Sequence, residues 1–154
     1  MKKQKNSVLY NGDSVAIKRF SAVKRRIVII DDDPGIRDIF GIIFEREGYI
    51  IELKSNGEGI LDNSLVLPDL FFIDKQLSGF NGLDLCRSLK RRVATSHIPV
   101  IMISASPDIA TLSKEAGADD YLEKPFDISY LLKMAERYSR KNEIVFSAGN
   151  TSPW

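Results

Sequence analysis

The chain has one cysteine, one histidine and one tryptophan in 154 residues, and each scarcity removes a class of explanation. With Cys86 alone no intrachain disulfide can form, so a packed core has to supply the stability. Cys86 falls on the apolar side of a predicted helix with Leu83 and Leu89, where a free cysteine serves as a small hydrophobe. His97 has no second histidine or cysteine at ligand spacing, which argues against a zinc-type centre and leaves it a loop residue before Ile98-Pro99. No apolar run approaches the roughly 20 residues that a membrane-spanning helix needs. The N-terminus is basic but lacks the apolar segment and small-residue cleavage site of a secretory signal, so a cytoplasmic location is expected. Neither an internal repeat nor a second domain is visible.

Net charge is nearly absent too, at +1, but it is unevenly spread. Residues 1–26 hold Lys2, Lys3, Lys5, Lys18, Arg19, Lys24, Arg25 and Arg26 against Asp13 alone, a local charge of +7 that leaves −6 on the remainder. A basic arm on a mildly acidic body can touch nucleic acid or a membrane surface, although such an arm is more often a solvated leader. The expected organisation is a flexible arm over 1–23, one domain over 24–141 and a tail over 142–154 that contains Ile144-Val145-Phe146 and Trp154.

From Lys24 onward, short apolar runs alternate with amphipathic segments, the pattern of βα units on a parallel sheet. Ile27-Val28-Ile29-Ile30 reads as the first strand, and Asp33-Pro34 as the N-cap and first residue of a helix with Ile36, Ile39, Phe40, Ile43 and Phe44 inward. Gly48 stops that helix, and Tyr49 to Leu53 form a second strand. A short, weak helix with two glycines is expected over 57–65. Leu70-Phe71-Phe72-Ile73 is a strand buried on both faces that ends on Asp74 and a glycine-containing loop over 79–82. A third helix carries Leu83, Cys86 and Leu89, and Pro99 opens the fourth strand over Val100-Ile101-Met102-Ile103. Ser106-Pro107 reads as another N-cap pair, Gly117 as a helix stop, and Tyr121-Leu122 as the fifth strand. Asp127 should cap a last helix with Ile128, Leu131, Leu132, Ala135 and Tyr138 inward.

Five parallel strands with right-handed crossovers bring their carboxyl ends to one edge, where open α/β sheets bind ligands. That edge collects Asp31-Asp32, Asp74, Ser104 and Lys124. Each has an ordinary explanation singly, as a helix start, a turn or a surface lysine. Three carboxylates within about 5 Å repel by roughly 3 kcal/mol per pair at an effective dielectric near 20, so a divalent cation is the natural counterweight. Oxygen-only ligands favour Mg²⁺ or its like, which is usually shared with phosphate oxygens. Lys124 then suits a phosphoryl oxygen, Ser104 another, and one carboxylate is free to act as a nucleophile.

The motifs Ile29-Ile30-Asp31-Asp32-Asp33-Pro34, Pro68-Asp69-Leu70-Phe71-Phe72-Ile73-Asp74 with Gly79 and Gly82, Pro99 to Ala105, and Ala116 to Phe126 occur in a fixed long-range order. Over about Arg25 to Tyr138 the chain resembles a receiver domain of two-component response regulators. The resemblance implies a flavodoxin-like (βα)5 fold, a doubly wound five-stranded parallel sheet of order 2-1-3-4-5. It implies Asp74 as phosphoacceptor, Mg²⁺ with Mn²⁺ as a substitute, and metal ligands from Asp31, Asp32, Asp74 and the backbone carbonyl of Gln76. Ser104 takes the hydroxyl switch position, Tyr121 the aromatic one, and the Lys124-Pro125 bond is expected to be cis.

The phosphoryl donor implied is a sensor histidine kinase or a histidine phosphotransfer protein, and the output an unnamed protein target. No membrane partner is expected, nor nucleic acid, although the basic arm leaves the latter open. The sequence reads as a stand-alone switch rather than an enzyme. Two rivals are a phosphorylation-independent interaction module and a metal-dependent phosphatase of the haloacid-dehalogenase type, for which Asp31-Asp32-Asp33 offers a superficial Asp-x-Asp pattern. Three departures from the receiver pattern stand out. Ser78 replaces the usual proline, Lys75 places a charge beside the acceptor, and Ser104 to Lys124 is short enough to trim the helix between them.

Overall fold

Strand side chains alternate between two faces, and here each face meets its own pair of helices. The computed structural model describes residues 23–140, so the tail over 142–154 and all of the arm except Val23 lie outside the described residues. In chain order the elements are β1 (Arg26–Ile30), α1 (Pro34–Arg46), β2 (Ile50–Lys54), β3 (Leu70–Asp74), β4 (Gln76–Leu77), β5 (Phe80–Asn81), α2 (Gly82–Arg91), β6 (Val100–Ser104), α3 (Ile109–Glu115), β7 (Asp120–Glu123) and α4 (Ile128–Ser139). The main sheet has the order β2-β1-β3-β6-β7, with every pairing parallel. This is the doubly wound order 2-1-3-4-5 once the two-residue strands β4 and β5, a separate antiparallel hairpin, are set aside.

Val28, Ile30, Phe71, Ile73, Val100 and Met102 face α2, α3 and the 57–65 segment. Ile27, Ile29, Leu70, Phe72, Ile101 and Ile103 face α1 and α4. β1, β3 and β6 are therefore apolar on both sides, as interior parallel strands must be. On the second face Phe40, Phe44 and Phe72 pack with ring centroids 5.6–6.3 Å apart, and Phe126 joins Phe40 at 5.9 Å. Each ring removed from water there is worth about 1.5–3 kcal/mol.

The described residues contain four helices, not five. Over 57–65 the chain makes successive i to i+3 turns, with Ile60, Asp62 and Leu65 amides donating to the carbonyls of Gly57, Gly59 and Asp62. Gly59 sits at φ +72°, and Asp62-Asn63-Ser64 favour turns, so no run of helical hydrogen bonds accumulates. The segment stays attached because Ile60 is buried and Leu61 and Leu65 pack on the same core. Arg92 also donates to the Leu61 carbonyl.

Smaller corrections concern helix faces and caps. Ile39 and Ile128 are about half exposed rather than inward, while Met134 is buried. Gly41 occupies the inner face of α1, where an added Cβ would press on the Leu53 side chain at 3.3 Å. Asp33 caps α1 as expected, accepting from the amides of Gly35 and Ile36 at 2.8 and 3.2 Å. Ser106-Pro107 precedes α3 without capping it, and Asp127 stands at the N-cap of α4 without a side-chain bond. The glycine-containing loop is the β4-β5 hairpin, turned at Gly79 with φ +74°. No helix among the described residues is long and apolar enough to cross a membrane.

Gly82 opens α2 directly against the end of β3. A Cβ there would overlap the Asp74 carbonyl oxygen and lie 3.0 Å from the Asp74 carbonyl carbon and 3.1 Å from the Lys75 Cα, all backbone atoms that cannot rotate away. Gly82→Ala should therefore lower unfolding free energy by roughly 1–3 kcal/mol, measured by urea denaturation. Cys86 is fully buried, and burial pushes its thiol up to about 11. The native protein should consequently resist a water-soluble thiol reagent at pH 8 and react completely once unfolded in urea.

Candidate functional site

Adjacent parallel strands that end level place the residues after them side by side. β1 is followed by Asp31, whose amide donates to the Lys54 carbonyl at 3.1 Å, and β3 ends on Asp74. Asp31 and Asp74 are buried while Asp32 is exposed. One carboxylate oxygen from each of the three lies within 4.8 Å of the others. Asp33 is not in this group, because its carboxylate is used by the cap of α1. The Asp-x-Asp pattern of the phosphatase reading therefore does not assemble.

The cluster is held by directed contacts. The amide of Asp33 donates to Asp31 Oδ1 at 2.9 Å, and Arg37 donates to the Asp31 carbonyl at 2.6 Å. Lys124, immediately after β7, donates from Nζ to Asp74 Oδ1 at 3.3 Å and to Asp31 Oδ2 at 3.4 Å. The backbone of Lys124 is pinned by its amide donating to the Ser104 carbonyl at 2.9 Å, and the Lys124-Pro125 bond is cis.

Burial is the largest influence on Asp74 and pushes its carboxyl up; Lys124 opposes this, and Asp31 and Asp32 add to it. For Lys124 burial favours the neutral amine, but Asp74 and Asp31 outweigh it and the ammonium is raised above its ordinary value. Three carboxylates facing one ammonium leave an excess of negative charge in an all-oxygen setting. That donor set fits a hard divalent cation of the Mg²⁺ kind, which takes carboxylate, carbonyl and water oxygens.

Ser104 closes β6 beside this cluster, since its neighbour Ile103 is in register with Asp74. The Ser104 side chain is buried, and its Oγ accepts from the Ser106 amide at 3.0 Å. Tyr121 lies on β7 in register with Met102 and is 37% exposed, so its ring is outward while the Ser104 hydroxyl is inward. Gln76 begins the β4-β5 hairpin two residues after Asp74, with its side chain exposed. The structure thus brings Asp31, Asp32, Asp74 and Lys124 into one group, sets Ser104 at its flank, and leaves Tyr121 at the rim.

Some contacts were not foreseeable from spacing. Ser78 Oγ donates to Asp32 Oδ2 at 2.9 Å, so the residue at the usual proline position touches the exposed acid of the cluster. Lys75 directs its ammonium to Ser106 Oγ at 3.0 Å and towards Asp108 at 3.7 Å. Both residues were visible as departures, but their partners come from other loops.

A family model described as the response regulator receiver domain matches residues 27–136. The chain is 36% identical over 124 residues to the DNA-binding response regulator MtrA of Mycolicibacterium smegmatis, covering 79% of this chain and 53% of that protein. It is also 36% identical over 132 residues to the DNA-binding dual master transcriptional regulator RpaA of Synechocystis, covering 82% and 54%. The chain therefore spans about half the length of these curated relatives. Among solved structures it is similar to a receiver domain of a signal transduction histidine kinase from Syntrophus aciditrophicus, with a TM-score of 0.72, 32% identity, and 80% and 96% of the two chains covered. A putative response regulator from Chloroflexus aurantiacus gives 0.69, 30% identity, and 75% and 98% covered. An acid cluster at the strand ends, a lysine bridging it and a family match over residues 27–136 lead to one conclusion: the chain belongs to the response regulator receiver domain family.

Proposed function

We propose that Asp74 accepts a phosphoryl group from a phosphohistidine on a sensor kinase or a histidine phosphotransfer protein. The observation that carries this reading is the double contact of Lys124 with Asp74 and Asp31 inside a cluster of three acids. In the transfer, an Asp74 carboxylate oxygen forms a bond to phosphorus as the phosphorus–nitrogen bond breaks and the imidazole departs. Asp31, Asp32, Asp74 and the carbonyl of Gln76 would hold Mg²⁺, with Mn²⁺ as a substitute, and the bound ion supplies charge neutralisation for the transferring group. Lys124 offers its ammonium to an equatorial phosphoryl oxygen, exchanging one anionic partner for another. Ser104 offers a hydroxyl to a second oxygen, and Tyr121 follows it inward from its exposed position, changing the surface of α3, β7 and α4.

The unit that does this is the domain over 24–141, acting in the cytoplasm on a protein target. It needs no catalytic turnover of a small substrate. The named relatives are DNA-binding regulators, so contact with nucleic acid through the basic arm or a joined partner module is compatible with the same switch.

Incubation with Mg²⁺ and acetyl phosphate should add one phosphoryl mass that is lost in mild base. The Asp74→Asn chain should gain none, and Lys124→Met should be labelled about 10²-fold more slowly, the usual loss for one charge-stabilising donor. An adduct that persists in Asp74→Asn would overturn the assignment. Stability offers a second check. Because burial raises the Asp74 carboxyl in the folded state, its favourable contribution is complete below the unfolded value near 3.9 and is lost as pH rises through the folded value. In chelator at pH 7, Asp74→Asn should therefore melt higher than the parent, and the gap should close as the pH is taken below about 4. Added Mg²⁺ should raise the parent's melting temperature more than the variant's.

A further inference from the structure

Two residues of the helix-capping kind, Ser106 and Asp108, stand before α3, and neither caps it. Asp108 holds the N-cap position without a side-chain bond to the helix. Its carboxylate instead faces the Lys75 ammonium at 3.7 Å, and Ser106 Oγ accepts from the same Nζ at 3.0 Å. One cation from the end of β3 meets both side chains. The seven-residue α3 is left with no side chain on its first turn, and a helix that short has little stability of its own.

The anchor of this contact is rigid. The Lys75 amide donates to the Ile103 carbonyl at 2.9 Å, and the Lys75 carbonyl accepts from Gly82 at 3.0 Å. The Lys75 side chain is only one-fifth exposed while Asp108 is 59% exposed, so the ion pair is screened and the hydrogen bond to Ser106 Oγ is the stronger of the two contacts. From the other side, the Ser106 amide donates to Ser104 Oγ at 3.0 Å. Lys75, Ser106 and Ser104 therefore form a continuous hydrogen-bonded path from the residue after Asp74 to the buried hydroxyl of β6.

We propose that Lys75 is a positioning residue: it straps Ser106 and Asp108 and so holds the Ser104 hydroxyl in the arrangement of the unphosphorylated protein. The inference rests on the phosphoacceptor reading of Asp74 for its functional consequence. A serine hydroxyl can accept from Ser106 while donating elsewhere, but for Ser104 to shift towards Asp74 the Ser106 amide has to follow. The strap resists that shift. Its loss raises the share of molecules in the switched arrangement before any phosphoryl group arrives.

The test uses the full 154-residue chain as parent, Lys75→Met, Ser106→Ala, their combination and Lys75→Arg. In metal-free buffer, amide exchange followed by NMR should be about fivefold faster at Ser106 in Lys75→Met, the size expected for the net loss of one typical hydrogen bond, and Lys75→Arg should restore most of the protection. With acetyl phosphate and Mg²⁺, Ser106→Ala, which keeps the local charge, should label severalfold faster than the parent. The combined variant should label no faster than the quicker single one, because both break the same path. Unchanged exchange at Ser106 in Lys75→Met overturns the strap. Faster exchange with labelling of Ser106→Ala at the parental rate overturns its role in positioning Ser104. A parent chain that takes no label counts against the Asp74 reading instead, and the exchange measurement then decides the strap alone.

Discussion

Mutual repulsion among Asp31, Asp32 and Asp74 is the constraint around which this molecule is arranged. Oxygens of three carboxylates within 4.8 Å repel by roughly 3 kcal/mol per pair at an effective dielectric near 20, more than most single contacts in a domain contribute. They stay together because β1 and β3 are neighbours in a sheet whose interior strands are apolar on both faces, so the backbone cannot retreat without opening the core. Lys124 offsets part of the repulsion from a third strand, and the Asp33 amide satisfies one oxygen of Asp31. The remaining negative charge, in an all-oxygen setting, is what fits the cluster to a hard divalent cation.

Around that cluster the loops carry the individuality of the chain. Gly82 lets α2 start against the Asp74 carbonyl, which fixes where β3 ends. Ser78 reaches Asp32 from the hairpin turn, and Lys75 reaches Ser106 and Asp108 across the sheet edge. Neither side chain belongs to the two apolar core clusters. Both lie beside the acids and the buried Ser104 hydroxyl, which is where contacts can differ between receivers that share one fold.

On the far side of the sheet, the 57–65 segment shows how little regular structure the core demands. Ile60, Leu61 and Leu65 cover β1 and β3 from a series of turns instead of from a helix. Burial is satisfied by the position of a few apolar side chains, whatever hydrogen-bonding pattern carries them.

The apolar runs at 27–30, 70–73 and 100–103 were legible as buried strands because they are short, rich in β-branched and aromatic residues and bounded by polar or proline residues, as interior parallel strands are. The polar residues that end them were legible as a site for the same reason, since topology sends every carboxyl end to one edge. Less legible were the faces of α1 and α4, where Ile39 and Ile128 satisfy the helical period yet lie outward, because the period leaves the rotation of a helix on its sheet open. Residues 57–65 misled because their apolar spacing suits either a helix or turns, and Gly59 at φ +72° decides it only once the backbone is seen. Ser106 looked like a cap, but the helix starts two residues later and a lysine distant in sequence takes the Ser106 hydroxyl. The sequence by itself determined the parallel sheet and the identity of the converging acids, since these follow from patterning and chain direction, while the strand order came from the family resemblance. Only the tertiary structure decided which acid is exposed, what each cation holds and how the loops are tied, because those depend on distances between segments that no local pattern encodes.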